Sequence, residues 1–361
     1  MNPPKNRILY LDLMRAFAIL MMLQGHTVSV FLADQYRDME SVVYSSWYII
    51  RGYTAPIFMF TAGVVFTYLL TLKKFSLQEN LRIKKGIKRG VSLILIGYIL
   101  RYPTYKVFVF SGVTTEQWLT FFAVDALHLI GAGLLFILII EWIASISKVN
   151  NSIIFMLFAI FVLIASPWVN SVAWGEVLPI PLASYFTFEF GSIFPLFPYL
   201  QYMFVGAAIG ALLSKYPNLY KNISANFVIL IFGIVFVLLS RYIYSIVDSP
   251  GVNDYSVSLN RIGVVLILNS VFALISLKIK SIPRYIIVAA KSSLSIYIIH
   301  LVILYGSPWS LGLDHLFGRS FSVILTILST IIMITLMILI SLRIDKFRLK
   351  KKNSLLERNS E

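Results

Sequence analysis

The chain has no cysteine, only four histidines in 361 residues, and just 13% charged side chains. The first absence excludes disulfides, thiolate catalysis and cysteine-based metal sites. The second leaves too few ligands for a metal centre, so none is expected. The third stands beside 58% apolar residues and a mean hydropathy of +0.83, whereas soluble domains run nearer ~45–50% apolar. Acidic residues are scarce as well, 16 against 31 Lys plus Arg, which leaves a net charge of +15. In a soluble protein that excess would raise nucleic acid as a partner. Here the basic residues sit in short stretches between apolar runs, each long enough at ~1.5 Å per residue to cross a hydrocarbon core of ~30 Å. Nucleic acid is therefore excluded as a partner and the lipid bilayer is the solvent. Soluble enzymes, disordered chains and β-barrels are excluded with it.

What is present is an all-α, polytopic pattern. Apolar spans read at 9–32, 46–72, 91–111, 118–146, 153–170, 194–213, 224–246, 259–278, 287–309 and 320–342, about ten transmembrane helices. The first resembles a signal peptide, but Arg15 interrupts its apolar run and Phe31 spoils the small-residue pattern before Ala33, so it is expected to stay attached. Most Lys and Arg fall before span 1, after the even-numbered spans and in the tail, which puts both termini in the cytoplasm by the positive-inside rule. No repeat or Gly/Ser-rich linker marks a second soluble domain. The expected organisation is one membrane domain over 1–342 and a basic cytoplasmic tail over 343–361. The longest connection, 171–193, carries Trp174 and Tyr185 and no Lys or Arg. It reads as a lid, a re-entrant piece or an interfacial aromatic loop.

Polar residues inside spans cost most and are where function is sought first. Arg15 and His26 are separated by 11 positions, which at 100° per residue is within ~20° of whole turns, so both lie on one helix face about 16 Å apart. Asp12 is placed to pair with Arg15, and Gly25 leaves room beside His26 for a close approach. Arg51 lies in the outer part of span 2, with Pro56 expected to kink the helix below it. Asp125 and His128 form an i, i+3 pair in span 4, and Ser293 through His300 put further polar groups in span 9. The bland readings stay open: an Asp12–Arg15 lock, an Asp125–His128 helix lock, and His300 bonded to a serine or a backbone carbonyl. On the inner side Lys85, Lys88 and Arg89 read either as topology and lipid contacts or as a seat for phosphates.

Five stretches carry a resemblance. They are Arg7-Ile8-Leu9-Tyr10-Leu11-Asp12 with Arg15 and His26; Ala55-Pro56-Ile57-Phe58-Met59 with Gly63; Asp125-Ala126-Leu127-His128-Leu129-Ile130-Gly131; Phe194-Pro195-Leu196-Phe197-Pro198-Tyr199 with Gly206 and Gly210; and Ser293-Leu294-Ser295-Ile296-Tyr297-Ile298-Ile299-His300. In this order the chain resembles the heparan-α-glucosaminide N-acetyltransferase-like family of bacterial membrane proteins, related to the O-antigen and exopolysaccharide acyltransferases. The resemblance implies a bacterial inner-membrane enzyme that moves an acyl group, usually acetyl, from cytosolic acyl-CoA to a hydroxyl or amine of an extracytoplasmic glycan or lipid-linked sugar. In the related acyltransferases the Arg and the His eleven residues later are functional, and they fall on Arg15 and His26. Animal members carry Asn where His26 stands, and Ala16 replaces a common Gly, so catalytic identity does not carry over uniformly.

On that reading Lys85, Lys88 and Arg89 hold the CoA phosphates and Arg15 lines the path of the pantetheine arm. His26 is general base or acyl carrier, Asp125 or His128 orients it, and Arg51 or Arg101 stabilises the oxyanion. His300, Arg101 and Trp174 are candidate contacts to the acceptor. Two rival classes are a proton-coupled transporter using the same residues as a relay and a non-catalytic assembly or lipid-sensing protein. A homodimer is compatible with an enzyme of this kind.

Overall fold

The computed structural model describes residues 8–72, 80–147, 149–246, 250–279 and 281–358. Its helices are α1 (Leu9–Phe31), α2 (Val42–Arg51), α3 (Thr54–Thr71), α4 (Leu81–Leu100), α5 (Thr115–Phe122), α6 (Ala126–Ser147), α7 (Asn151–Ser171), α8 (Trp174–Val177) and α9 (Ile180–Ala183). There follow α10 (Leu196–Lys215), α11 (Ile223–Ile246), α12 (Pro250–Lys278), α13 (Arg284–Lys291), α14 (Ser293–Tyr305), a two-residue hairpin β1 (Gly306–Ser307) and β2 (Ser310–Leu311), α15 (Leu313–Phe317) and α16 (Val323–Arg358). The chain is an all-α, multi-pass membrane protein. Among the described residues eight helical segments are long and apolar enough to cross a bilayer, nine if α13 and α14 count as one span.

Several expected spans are redrawn by local chemistry. The span expected at 91–111 is helical over Leu81–Leu100, because Asn80 caps its start by accepting from the Arg82 amide and the basic run Arg82–Arg89 is good helix former. Those charges also keep α4 out of the strongly apolar set. Pro56 sits in the first turn of α3, where its missing N–H costs nothing, and the break falls earlier, at Gly52–Tyr53. The span expected at 287–309 is two helices bent by 77° around Ser292. α16 runs unbroken past residue 342 to Arg358.

The chain divides into two compact units, Met1–Thr54 with Lys278–Glu361, and Ala55–Leu277. In the first, α1 packs against α13, α14 and α16. Its C-terminal end is closed by Arg37, whose guanidinium donates to the carbonyls of Ser29 and Leu32, at 2.9 and 2.7 Å, that no further turn can use. In the second, α10 is the most buried helix and packs on α7 and α6. Gly63, Gly206 and Gly210 let α3 and α10 touch backbone to backbone: a Cβ at Gly63 would strike the Met203 carbonyl, one at Gly206 that of Phe60, and one at Gly210 that of Val64. Without side chains there the helices approach closely, as membrane helices do at small residues.

Candidate functional site

Arg15, His26, Arg51 and His300 all belong to the first unit. α1 and α14 meet along the face that the eleven-residue spacing marks. At one end Arg15 donates to the Ser293 hydroxyl at 2.7 Å, at the start of α14 and beside the bend. At the other, His26 Nδ1 lies 3.0 Å from the Tyr305 hydroxyl, and its ring centroid is 5.2 Å from that of His300.

Each group in this cluster has a defined hydrogen-bonding state. His300 is fully buried, and its Nδ1 lies 2.8 Å from the Ile296 carbonyl. A carbonyl only accepts, so Nδ1 carries the proton and Nε2 of the neutral ring is a bare lone pair. That Nε2 has no partner; an unmet buried acceptor costs ~1–3 kcal/mol. The carbonyl-bonded reading of His300 is thus realised at one ring nitrogen and leaves the other free.

Arg51 donates to the Ser29 hydroxyl and lies over the rings of Trp47 and Tyr48, at 5.4 and 5.6 Å. It pairs with no carboxylate among the described residues, so its charge is held by ring faces and a hydroxyl. Gly25 makes this placement fit, since a Cβ there would lie 3.1 Å from Arg51 Cγ. The room beside His26 therefore holds the arginine stem. Trp47 is pinned in turn by its indole N–H on the Gln24 side-chain oxygen.

The second unit holds Lys85, Lys88, Arg89, Arg101, Asp125, His128 and Trp174. Lys85, Lys88 and Arg89 lie at i, i+3 and i+4 on an exposed face of α4. Asp125 and His128 are placed differently from a mid-span pair: the chain breaks between α5 and α6, and Asp125 is the residue before α6. Its Oδ1 accepts from the backbone N–H of Leu127 at 2.8 Å and of His128 at 3.3 Å, which is an N-cap. The same oxygen is 2.9 Å from His128 Nδ1, and Oδ2 is 3.6 Å from Arg101 Nε. With Nδ1–H on the carboxylate, His128 Nε2 is a second buried nitrogen without a partner. The ring lies against Gly97, where a Cβ would come within 2.5 Å of it, and edge-on to Tyr98 at 4.4 Å.

The connection over 171–193 is folded onto this turn. Ser192 accepts from the Val124 amide and donates to the Ser184 carbonyl, while the amides of Ile193 and Phe194 both donate to the Val124 carbonyl. The Tyr185 hydroxyl is 3.3 Å from that of Tyr98. Burial, and then this contact, push the Tyr185 phenol up from its ordinary value, so it stays protonated. Trp174 spends its N–H on the Val169 carbonyl at 2.7 Å and stacks on Phe186. A cavity of about 240 Å³ opens beside the turn, lined by Arg101, Glu116, Thr120, Glu189 and Phe190 among others.

Tyr305, Ser29, Trp47 and Tyr98 are site residues that the sequence reading did not single out, whereas Tyr185 was marked with Trp174 in the aromatic connection. Tyr and Trp look like interfacial anchors in a membrane sequence, and Ser29 like one serine among many. The i, i+4 spacing of Trp47 and Arg51 was the available signal.

A helical membrane protein with two imidazole clusters, one beside an arginine without a carboxylate, has the groups for acyl or proton transfer. The chain belongs to the heparan-alpha-glucosaminide N-acetyltransferase catalytic family, whose profile matches residues 7–246. It is therefore a membrane protein of the acetyltransferase class. No individual curated protein matches the chain significantly.

Proposed function

We propose that the protein transfers an acyl group, acetyl in the first instance, from cytosolic acyl-CoA to a hydroxyl or amine of an extracytoplasmic glycan or lipid-linked sugar, across a bacterial inner membrane. The observation that carries this reading is the His26–His300–Arg51 cluster: two imidazoles, one with a bare buried lone pair, beside a guanidinium that no carboxylate neutralises. An imidazole lone pair takes the proton of an attacking hydroxyl or amine, and a fixed cation stabilises the oxyanion that forms at the thioester carbon.

In this mechanism His26 is the reacting base or the acyl carrier, with Tyr305 holding its Nδ1. His300 Nε2 accepts a hydrogen bond from the acceptor group, and Arg51 holds the developing negative oxygen. As the tetrahedral intermediate collapses, the C–S bond breaks and the thiolate leaves as CoA, taking up the proton. Arg15 faces the pantetheine arm, while Lys85, Lys88 and Arg89 bind the CoA phosphates as point charges. Asp125 orients His128 as a second base, and Arg101 with Trp174 borders the acceptor. The cofactor is a co-substrate; no metal is required by these steps.

The test is acetyl-CoA binding and turnover by the purified protein, wild type beside His26→Ala and Lys85→Ala/Arg89→Ala. The reading expects His26→Ala to bind without turning over and the double variant to bind poorly. Absence of wild-type affinity for CoA would refute it. The rival, a proton-coupled carrier, is favoured by the broken helix α13–α14, a device carriers use at substrate sites. Proton-driven sugar uptake into proteoliposomes without CoA would establish the carrier instead.

A further inference from the structure

Within the second unit, away from the residues given roles above, α10 and α12 carry a set of hydrogen-bond donors that meets no anionic acceptor among the described residues. Arg261 stands on α12, partly buried. A guanidinium has five N–H donors. One hydrogen bond of Arg261 has full geometry, Nη1 to the Tyr199 hydroxyl at 3.4 Å, and its carbon lies 5.9 Å from the Tyr199 ring centroid. No carboxylate pairs with it among the described residues. The Tyr202 hydroxyl, fully buried, lies within reach of Arg261 and Ser258 but meets neither in good hydrogen-bond geometry. Ser258 is itself 2% exposed.

Three kinds of donor, a fork, a phenol and an alcohol, thus converge without an acid. A partly buried cation with no carboxylate partner and a buried hydroxyl without a well-formed hydrogen bond are both costly. One anionic group with several acceptor oxygens would satisfy them together. A planar carboxylate offers two oxygens to the fork; a phosphate offers more, arranged tetrahedrally, which suits donors approaching from separate side chains. The aromatic walls, Phe194 at 5.0 Å and Phe188 at 6.4 Å from the Tyr199 ring, provide an apolar flank for whatever the phosphate is attached to. We propose that Arg261, Tyr202, Tyr199 and Ser258 form a binding site for the phosphate of an amphiphilic phosphate ester. The site is independent of the acyl-transfer reading and stands or falls without it.

The experiment measures binding of a fluorescent short-chain phosphatidic acid to the full-length protein in neutral detergent, for wild type, Arg261→Gln, Arg261→Lys and Tyr202→Phe. Size exclusion and thermal unfolding check the fold of each. The expected result is a Kd raised about tenfold or more in Arg261→Gln and about threefold in Tyr202→Phe, with Arg261→Lys between them. Unlabelled short-chain diacylglycerol, which lacks the phosphate, should not compete. Competition by inorganic phosphate would assign recognition to the phosphate alone and admit soluble phosphates; competition only by phosphatidic acid would assign it to a lipid headgroup. Equal Kd in wild type and Arg261→Gln, no wild-type binding, or equal competition by diacylglycerol would overturn the proposal. Should Arg261→Gln fail to fold, an unchanged Kd in Tyr202→Phe overturns it equally.

Discussion

Asp125 is the residue whose removal tests the second cluster most directly. Its carboxylate does three jobs at once: it caps α6 through the Leu127 and His128 amides, it receives His128 Nδ1 at 2.9 Å, and it faces Arg101 at 3.6 Å. Asp125→Ala deletes the cap, a loss of ~0.5–2 kcal/mol. It also leaves a buried imidazole N–H without an acceptor, a further ~1–3 kcal/mol. The ion pair adds less, because Arg101 reaches the carboxylate only at 3.6 Å and retains solvent. Together the variant should lose about 2–5 kcal/mol, or roughly 5–15 °C in thermal midpoint for a domain of this size. Asp125→Asn separates the jobs, since an amide oxygen still caps the helix and accepts from His128 while the negative charge is gone. It should lose about 1 kcal/mol and fold normally. The assay is thermal unfolding in detergent with acetyl-CoA turnover on the same samples. A midpoint for Asp125→Ala within about 1 °C of wild type, the size of shift an inconsequential surface change gives, would refute the cap and the imidazole bond together. If Asp125→Asn keeps both stability and full turnover, the Asp125–His128 pair is a helix lock and not part of the chemistry.

Gly206→Ala should destabilise the protein by about 1–3 kcal/mol, because its Cβ meets the Phe60 backbone, which cannot rotate away; unfolding at or above the wild-type midpoint would contradict the close approach of α3 and α10. Arg51→Ala should lower turnover about 10²–10³-fold with little change in acyl-CoA affinity, as measured by single-turnover kinetics; a loss confined to KM would move Arg51 from the oxyanion to ground-state binding. Neutralising Lys85, Lys88 and Arg89 should raise KM for acyl-CoA and flatten its salt dependence while leaving kcat within about twofold. An unchanged KM would assign that exposed face of α4 to lipid and topology.

Much of this was legible one helix at a time. The eleven-residue interval from Arg15 to His26 fixes a common face by helical geometry alone, and both residues do meet α14, at Ser293 and at His300 with Tyr305. The i, i+3 interval from Asp125 to His128 likewise brings their side chains together, although the break before α6 turns a mid-span pair into a cap. Helix boundaries were less legible where polar signals compete with apolar runs. The charged first half of α4 is helical in spite of its charge, because propensity and the Asn80 cap act locally. The bend at Ser292 carries no proline or glycine to announce it.

What the sequence determined by itself is therefore the solvent, the helical class and the faces along which polar groups line up, since these follow from hydrophobic run length and a fixed angle per residue. What only the tertiary structure decided is which groups from remote parts of the chain share a site. His26 and Tyr305 are 279 positions apart, and nothing local marks Tyr305, Ser29 or the pairing of Arg261 with Tyr199. Such partners are chosen by how whole helices pack. Packing depends on small residues such as Gly25 and Gly97, whose importance lies in the side chain that fills the space they leave.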